Sequence, residues 1–472
     1  MAQSDKVTEY RAGEAGWIGS GGGSLAAGSP ASRLQSSPLW LPAIILVVMG
    51  IAAAVMLMPY PPLMDFLEWV YQGKILALLL SGNDLGPIRI AQYPVPNSTS
   101  QVILGLLCLV MPASMAASVF LLGFIAAASL VAWSLAARYQ PALAGPLCLI
   151  LMVSIFFCAP FWNGFANYGL ALVLFGGFLL LPENRRVDPG PVLLFSLVIF
   201  FTHLTVFVAF LVLVGLQALA LRRIVAAGLA VVPSILLAGW YYLALDRGRL
   251  DPGEPTVGQQ SGQFLFDAAK YLAYKLYTFT KIGPYHNFVF SAGGDVVVRP
   301  PVYWAGVAVN GLYALLCLAL LGLGLRDALR NRSARFVPLA AAAVLGLAFL
   351  LMPAGRLIAN TGERFMYPAL LLLLLSLPLH RGLTRLMGGI AVLLLVSLTS
   401  LASGQQDWSK PLPEASWAAP QRVLYQHRPT AFAASWFTLD SLATGRLPPG
   451  AQLSFETSLL ISSAPPRAEP RP

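Results

Sequence analysis

Long apolar runs dominate the chain from residue 39 to residue 403, and short polar connections separate them. A helix needs about 20 mostly apolar residues to cross a bilayer, so this pattern predicts about eleven transmembrane helices. Only Thr202 and His203 interrupt the stretch 190–221, which we interpret as two short helices that meet there. The predicted spans are 39–59, 114–137, 141–160, 165–182, 190–203, 204–221, 224–245, 302–325, 336–352, 366–380 and 386–403.

Composition agrees with an all-α polytopic membrane protein. Hydrophobic residues make up 57% of the 472 positions and charged residues only 11%, whereas a soluble domain carries about 25% charged residues. Residues 1–38 are rich in Gly, Ser and Ala, which predicts a disordered tail. The net charge of +10 is typical of loops held at the cytoplasmic face, and we expect no nucleic-acid partner.

Arginine placement predicts the orientation of the spans. The short connections that we assign to the cytoplasm carry most of the arginines, as the positive-inside rule requires. The amino terminus is then cytoplasmic and the tail 404–472 external, in a bacterial inner membrane. Segment 99–113 is apolar but short, and a crossing there would move Arg138 outside. We therefore expect a first external loop, 60–113, with juxtamembrane helices, and a second long external loop, 247–301.

Cysteines and histidines give no sign of a metal site. The four cysteines lie inside apolar runs and are expected to be small buried side chains. No HExxH motif or paired-cysteine spacing occurs, which makes a zinc enzyme a poor interpretation. A divalent cation held by carboxylates stays an open alternative.

The first external loop carries the first candidate catalytic residues. Segment 63–80 has apolar residues at helical spacing, and Asp65, Glu68 and Gln72 share another face. Such a carboxylate pair suits a general base with a supporting group, or a divalent cation. The alternative is the solvated polar face of an interfacial helix.

Three asparagines and a histidine are candidate binding residues on the same external side. Asn97 follows a proline-rich turn and either caps the next helix or binds substrate. Asn163 and Asn167 lie at the external ends of the third and fourth spans, where amides form caps, helix–helix hydrogen bonds or ligand contacts. His203 lies in an apolar run and needs a partner, which is a phosphate, a sugar hydroxyl or a neighbouring carbonyl.

Basic residues of two external loops are candidates for phosphate binding. The stretch 264–281 predicts a helix on the outer membrane surface, where Lys275 and neighbouring lysines either attract a lipid phosphate or anchor the helix. Arg356 and Arg364 lie in a short external connection, which normally excludes arginine. A phosphate matches a guanidinium well, and the alternative for Arg364 is an ion pair with Glu363 or Asp65.

The order of these parts resembles the GT-C superfamily of membrane glycosyltransferases, with aminoarabinose and protein-mannosyl transferases as the nearest types. The resemblance covers roughly residues 39 to 380. It rests on Asp65 in a long first loop, Tyr93-Pro94-Val95-Pro96-Asn97 before a short apolar helix, Phe-Trp-Asn-Gly-Phe-Ala-Asn-Tyr at 161–168, Phe201-Thr202-His203 between two spans, and Glu363-Arg364 before a leucine-rich helix.

The resemblance implies transfer of a sugar from a polyprenyl-phosphate donor to a glycan, lipid or protein acceptor of the cell envelope, with inversion at the anomeric carbon. Asp65 would then be the base, and Arg364, with Arg356 or the lysines near 275, would hold the lipid phosphate. Two departures from the family pattern leave metal use and activity open. Glu68 lies one turn beyond Asp65, and asparagines stand where some members have a second acid.

Two other functions fit the same residues. In a transporter or lipid flippase, Asp65 and Arg364 would form a gate. In a polysaccharide ligase or polymerase, the loop 247–301 would act. No inverted repeat and no mid-span acid is evident in the sequence, which favours the enzyme over a coupled transporter.

Overall fold

The structure is a computed structural model that describes residues 39–57, 63, 66–84, 88–249, 268–285, 301–331, 335–352, 362–403 and 461–463. Asp65 and Arg356 lie outside these residues, as do the predicted tail 1–38 and nearly all of the predicted tail 404–472. For Glu68 the structure describes only the backbone, which is helical.

Helices make up almost all of the described chain, and each predicted span coincides with a helical segment. Short 3-10 helices occur at Pro141–Leu143, Glu183–Val187, Phe279–Lys281 and Glu363–Phe365, and a π-helical turn at Met152–Phe156. The α-helices are α1 (Trp40–Met56), α2 (Phe66–Leu80), α3 (Thr99–Val110), α4 (Ala113–Tyr139), α5 (Ala144–Leu151), α6 (Ala159–Trp162), α7 (Ala166–Leu179), α8 (Pro189–Thr202), α9 (Leu204–Ala220), α10 (Ile224–Arg249), α11 (Ala268–Thr278), α12 (Pro301–Asn331), α13 (Phe336–Leu351), α14 (Met366–Ser376) and α15 (Arg381–Ser403).

Four of these helices are long and apolar enough to cross a membrane. They are α4, α12, Ile224–Ala244 of α10 and Arg381–Leu401 of α15. On α10, large apolar side chains face outward, with Val225 76% and Leu236 68% exposed. An extended apolar outer surface suits lipid rather than water. The predicted helical class is confirmed, and the apolar helices indicate a membrane protein.

The helices of the first loop, α2 and α3, pack closely on each other. A Cβ on Gly73 would lie 2.6 Å from the Cβ of Leu104 and 3.0 Å from its backbone carbon, so only glycine permits this approach. Gln101 donates a hydrogen bond to Gln72 across the same contact (2.8 Å), and both side chains are buried. The loop is therefore an ordered helical pair from Phe66 to Leu80 and from Thr99 to Val110.

One end of the bundle is held by arginines of the connections that we predicted to be cytoplasmic. Arg186 is only 1% exposed and donates to the carbonyl of Leu179 (2.7 Å) and to the hydroxyl of Tyr139 (2.7 Å). Arg138 donates to the carbonyl of Leu180 (2.6 Å). These guanidinium groups satisfy carbonyls at the carboxyl end of α7, where cations are favourable.

Two short strands join distant parts of the chain. β1 (Ile88–Ile90) lies in the first loop and pairs antiparallel with β2 (Ile461–Ser463) near the end of the chain. Ile88 is opposite Ser463, and Ile90 is opposite Ile461. Since strands pair through backbone hydrogen bonds, these two segments lie on the same side of the membrane.

Helix α11 and the turn after it bury two lysines that the sequence pattern places at the membrane surface. Leu272 and Leu276 are each 58% exposed, whereas Lys275 is 2% and Lys281 is 6% exposed. Lys275 and Lys281 therefore point into the protein, and the two leucines face outward, as the apolar stripe of a membrane-surface helix does. These lysines can be buried because a carbonyl oxygen accepts a hydrogen bond from Lys275 and a carboxylate oxygen accepts one from Lys281.

Candidate functional site

Asn167 joins α7 to the start of α3. Its side-chain nitrogen donates to the carbonyl of Asn97 (2.6 Å), and its side-chain oxygen accepts from the backbone nitrogen of Ser100 (2.8 Å). The first backbone N–H groups of a helix have no partner within the helix, so Asn167 caps α3 from a different helix. This confirms a helix–helix hydrogen bond, one of the alternatives for this residue.

Asn97 does not cap α3 with its own side chain. Its backbone lies in the left-handed region, with φ of 63°, which asparagine tolerates better than most residues. The residue that precedes the helix is Ser98, which makes no side-chain capping bond either. The buried Oδ1 atom of Asn97 has no hydrogen-bond partner within the described chain. Because buried acceptors are normally satisfied, this atom needs a donor from outside the described residues.

The segment after Asn97 runs beside the carboxyl end of α8. The backbone nitrogen of Ser98 donates to the carbonyl of Phe201 (2.9 Å), and the hydroxyls of Thr99 and Thr202 are hydrogen-bonded (3.0 Å). These contacts place the Asn97 turn next to His203, which follows α8 in extended conformation. Asn167 therefore contacts the Asn97 turn, and the residues after Asn97 contact the last residues of α8, which His203 follows.

Arg364 completes this cluster from the far end of the chain. It lies in the 3-10 turn before α14, and its Nη1 atom is 3.1 Å from Nε2 of His203. A guanidinium can only donate, so Nε2 accepts and the imidazole is neutral, with its proton on Nδ1.

The remaining imidazole nitrogen lacks a partner. His203 is 4% exposed, and its Nδ1 atom is buried without a hydrogen bond to any described residue. An unsatisfied buried donor costs about 1–3 kcal/mol. A donor left unsatisfied beside a guanidinium favours an acceptor-rich ligand such as a phosphate or a sugar oxygen. Among the described residues no carbonyl accepts from Nδ1, which was one of the alternatives for His203.

Two aromatic residues support Arg364. Tyr168 donates from its hydroxyl to the carbonyl of Arg364 (2.7 Å), and its ring meets the ring of His203 edge-on at 5.0 Å. The guanidinium carbon of Arg364 lies 5.4 Å from the centre of the Phe165 ring, a distance at which cation–π attraction operates. Arg364 is thus held by Tyr168 of α7 and by Phe165, the residue before α7.

Glu363 takes part in a separate buried cluster. Its carboxylate accepts from Nζ of Lys281 (2.5 Å) and from the hydroxyl of Tyr274. Burial raises the pKa of the Tyr274 hydroxyl, and the hydrogen bond to Glu363 raises it further. This phenol therefore stays protonated and donates. Sequence reasoning did not connect these residues, because their spacing along the chain carries no signal.

Lys275 caps a helix. Its Nζ atom donates to the carbonyls of Phe349 and Met352 (2.7 Å for Met352) at the carboxyl end of α13. A cation is favourable there because of the helix dipole. Burial lowers the pKa of Lys275 to about 8, against the attraction of Glu363. The structure thus gives Lys275 an internal role as a helix cap, whereas the sequence suggested binding of a lipid phosphate or surface anchoring.

A small apolar pocket lies between the first loop, α4 and the start of α7. Phe165, whose ring faces the Arg364 guanidinium, lines this pocket together with residues of the first loop, α4 and the segment before α7. The lining residues are Leu63, Phe66, Phe120, Leu121, Phe124, Phe161, Gly164, Phe165, Ala166 and Gly169.

The other selected residues are less well placed by the structure. Asn163 lies one turn before Asn167 and has a buried Oδ1 atom with no partner among the residues described. The structure does not describe Asp65 or Arg356, and Glu68 is described only through its backbone. Within the described ranges, no group of three or more His, Cys, Asp or Glu side chains could hold a metal ion, and all four cysteines are buried.

Together, the fold and the site define a class of protein: a helical membrane protein with a polar, cationic cluster at its helix ends. Comparison with protein-family models, with curated proteins and with solved structures gives no match.

Proposed function

We propose that the chain is a membrane glycosyltransferase that uses a polyprenyl-phosphate-linked sugar and acts on an acceptor of the cell envelope. The observation that carries this proposal is the contact between the Arg364 guanidinium and Nε2 of His203, whose Nδ1–H has no partner among the described residues. Asn97, whose buried Oδ1 is likewise unpartnered there, precedes the segment that hydrogen-bonds to the end of α8, just before His203. A sugar phosphate offers oxygens to the two donors and a hydroxyl to the acceptor.

The proposed reaction is a direct displacement. The acceptor hydroxyl attacks the anomeric carbon, Asp65 takes its proton, and the polyprenyl phosphate leaves with the electrons of the broken bond. The leaving phosphate gains one negative charge. Arg364 and the Nδ1–H of His203 therefore bind the transition state more tightly than the donor, which is how electrostatic catalysis lowers a barrier.

We also propose eleven spans in a GT-C-like arrangement with the site on the outer face. The strand pair supports this topology, because β1 and β2 must lie on the same side and an even number of crossings must separate them. The ten predicted spans after the first loop satisfy that condition. A further crossing by α3 would break it.

The test is a transfer assay with the purified protein in lipid nanodiscs. Labelled polyprenyl-phosphate sugars are supplied as donors, and an envelope lipid extract is the acceptor. Arg364→Gln and Asp65→Asn should each lower transfer by about a hundredfold, as loss of one transition-state contact does. Arg326→Gln is the matched control, because Arg326 is exposed and pairs with its neighbour Asp327.

A different pattern would reject the enzyme. If the wild-type protein transfers none of the sugars, while labelled polyprenyl phosphate changes leaflet in vesicles only when Arg364 is intact, the flippase alternative replaces the glycosyltransferase. Equal transfer by wild type and Arg364→Gln would remove Arg364 from the site.

A further inference from the structure

We infer that Lys281 and Tyr274, from the second long loop, are positioning residues that hold Arg364 in the site by fixing the carboxylate of Glu363. This inference rests on the proposed role of Arg364. It gives α11 and the turn that follows it a function in substrate binding, although Lys275 and Lys281 are both buried.

The contact to Glu363 is close and buried. Lys281 and Glu363 side chains are each 8% exposed, and their charged atoms are 2.5 Å apart. Tyr274 donates to the other carboxylate oxygen. Glu363 and Arg364 are adjacent in a single 3-10 turn, so a fixed Glu363 side chain fixes the direction in which Arg364 leaves the backbone.

The turn that carries Lys281 is itself anchored in the bundle. Asn310 of α12 donates to the carbonyl of Thr280 (2.7 Å). The carbonyl of Gly283 accepts from the backbone nitrogen of Ala159 (2.8 Å). Gly283 has a φ of 126°, and a Cβ there would lie 2.1 Å from Asn310, so only glycine fits. Lys281 therefore stands on a rigid support.

A second set of contacts links the Lys281 turn to Arg364 through Tyr367 and Tyr168. Tyr367, one turn after Arg364, donates to the carbonyl of Lys281 (3.1 Å). The Tyr367 ring meets the ring of Tyr168 edge-on at 5.9 Å, and Tyr168 binds the carbonyl of Arg364. Arg364 is thus held on one side by α7 and on the other by the Lys281 turn.

Electrostatics explains why Lys281 is needed. A buried carboxylate that loses its cation recruits another cation, since a buried unpaired charge is costly. Arg364, the next residue in the sequence, carries such a cation. Without Lys281, Glu363 should draw Arg364 out of the site, and without both charges this attraction should vanish.

The experiment compares Lys281→Met, Lys281→Arg and the double variant Lys281→Met/Glu363→Gln in nanodiscs. The readouts are the rate at which phenylglyoxal labels Arg364, measured by peptide mass spectrometry, and equilibrium binding of a polyprenyl phosphate. Lys281→Met should slow labelling and weaken binding about tenfold, the effect of one lost charge-assisted hydrogen bond. Lys281→Arg should keep both, and the double variant should recover both.

A folded Lys281→Met protein with unchanged labelling and binding would overturn the inference, because a purely structural ion pair leaves Arg364 where it is. If Lys281→Met does not fold, Tyr274→Phe decides: a smaller loss in both readouts supports the inference, and no change overturns it. Absence of lipid binding by the wild type would reject the proposed function alone, because the labelling rates still report the position of Arg364.

Discussion

Replacing Asn167 by leucine should detach the start of α3 from α7. The side chain is 2% exposed and makes two hydrogen bonds to backbone groups, at 2.6 Å to the Asn97 carbonyl and at 2.8 Å from the Ser100 nitrogen. Leucine has a similar size but offers no donor or acceptor. Each of the two backbone groups left unsatisfied costs about 1–3 kcal/mol, so the free energy of unfolding should fall by about 2–6 kcal/mol.

Thermal unfolding in detergent measures the stability, and hydrogen exchange of the peptide 97–101 measures the local effect. Faster exchange should be centred on the amide of Ser100. Asn83→Leu is the control, since Asn83 is exposed and makes one hydrogen bond to the Leu78 carbonyl, and surface changes of this kind stay within about 0.5 kcal/mol. An Asn167→Leu protein with unchanged Tm and exchange would refute the assignment of Asn167 as a cap.

Two further predictions concern the packing of the first loop and the buried lysine. Gly73→Ala should lower stability by about 1–3 kcal/mol, because the added Cβ would overlap Leu104. The control Gly123→Ala should raise stability by about 0.5–1 kcal/mol, because nothing lies within 4 Å of the added Cβ. Equal Tm values for the two variants would contradict this prediction. The unfolded Lys275 amine keeps its proton to a pH of about 10.4 but the folded amine only to about 8, so denaturant titrations should show stability rising with pH between these values. Lys275→Met should remove this rise, and an identical slope in both proteins would count against the pKa of about 8.

The helices follow from the sequence because apolar length is a strong and local signal. Predicted span 302–325 lies within α12, and the interpretation of 190–221 as two helices is confirmed by the extended backbone at His203. The cluster was predicted only as separate residues. No pattern shows that Asn167 binds the Asn97 turn, since 70 positions separate them.

The amphipathic stretch around Lys275 shows where pattern reasoning fails. A stripe of leucines with lysines on the other face is typical of a helix on a membrane surface, with its charges in water. In this protein the leucines are exposed and the lysines are buried. Helical periodicity identifies the two faces, but it does not show which face meets the protein. That choice depended on oxygens of α13 and Glu363, which are distant in sequence.

Binding of the phosphate of a lipid-linked sugar by Arg364 and His203 is tested most directly by a cryo-EM map of the protein in nanodiscs with an added polyprenyl phosphate. Phosphate density should lie within about 3 Å of the Arg364 guanidinium and of Nδ1 of His203, a normal hydrogen-bond distance. Phosphate density elsewhere, with Nδ1 of His203 still unpartnered, would refute the proposed binding site.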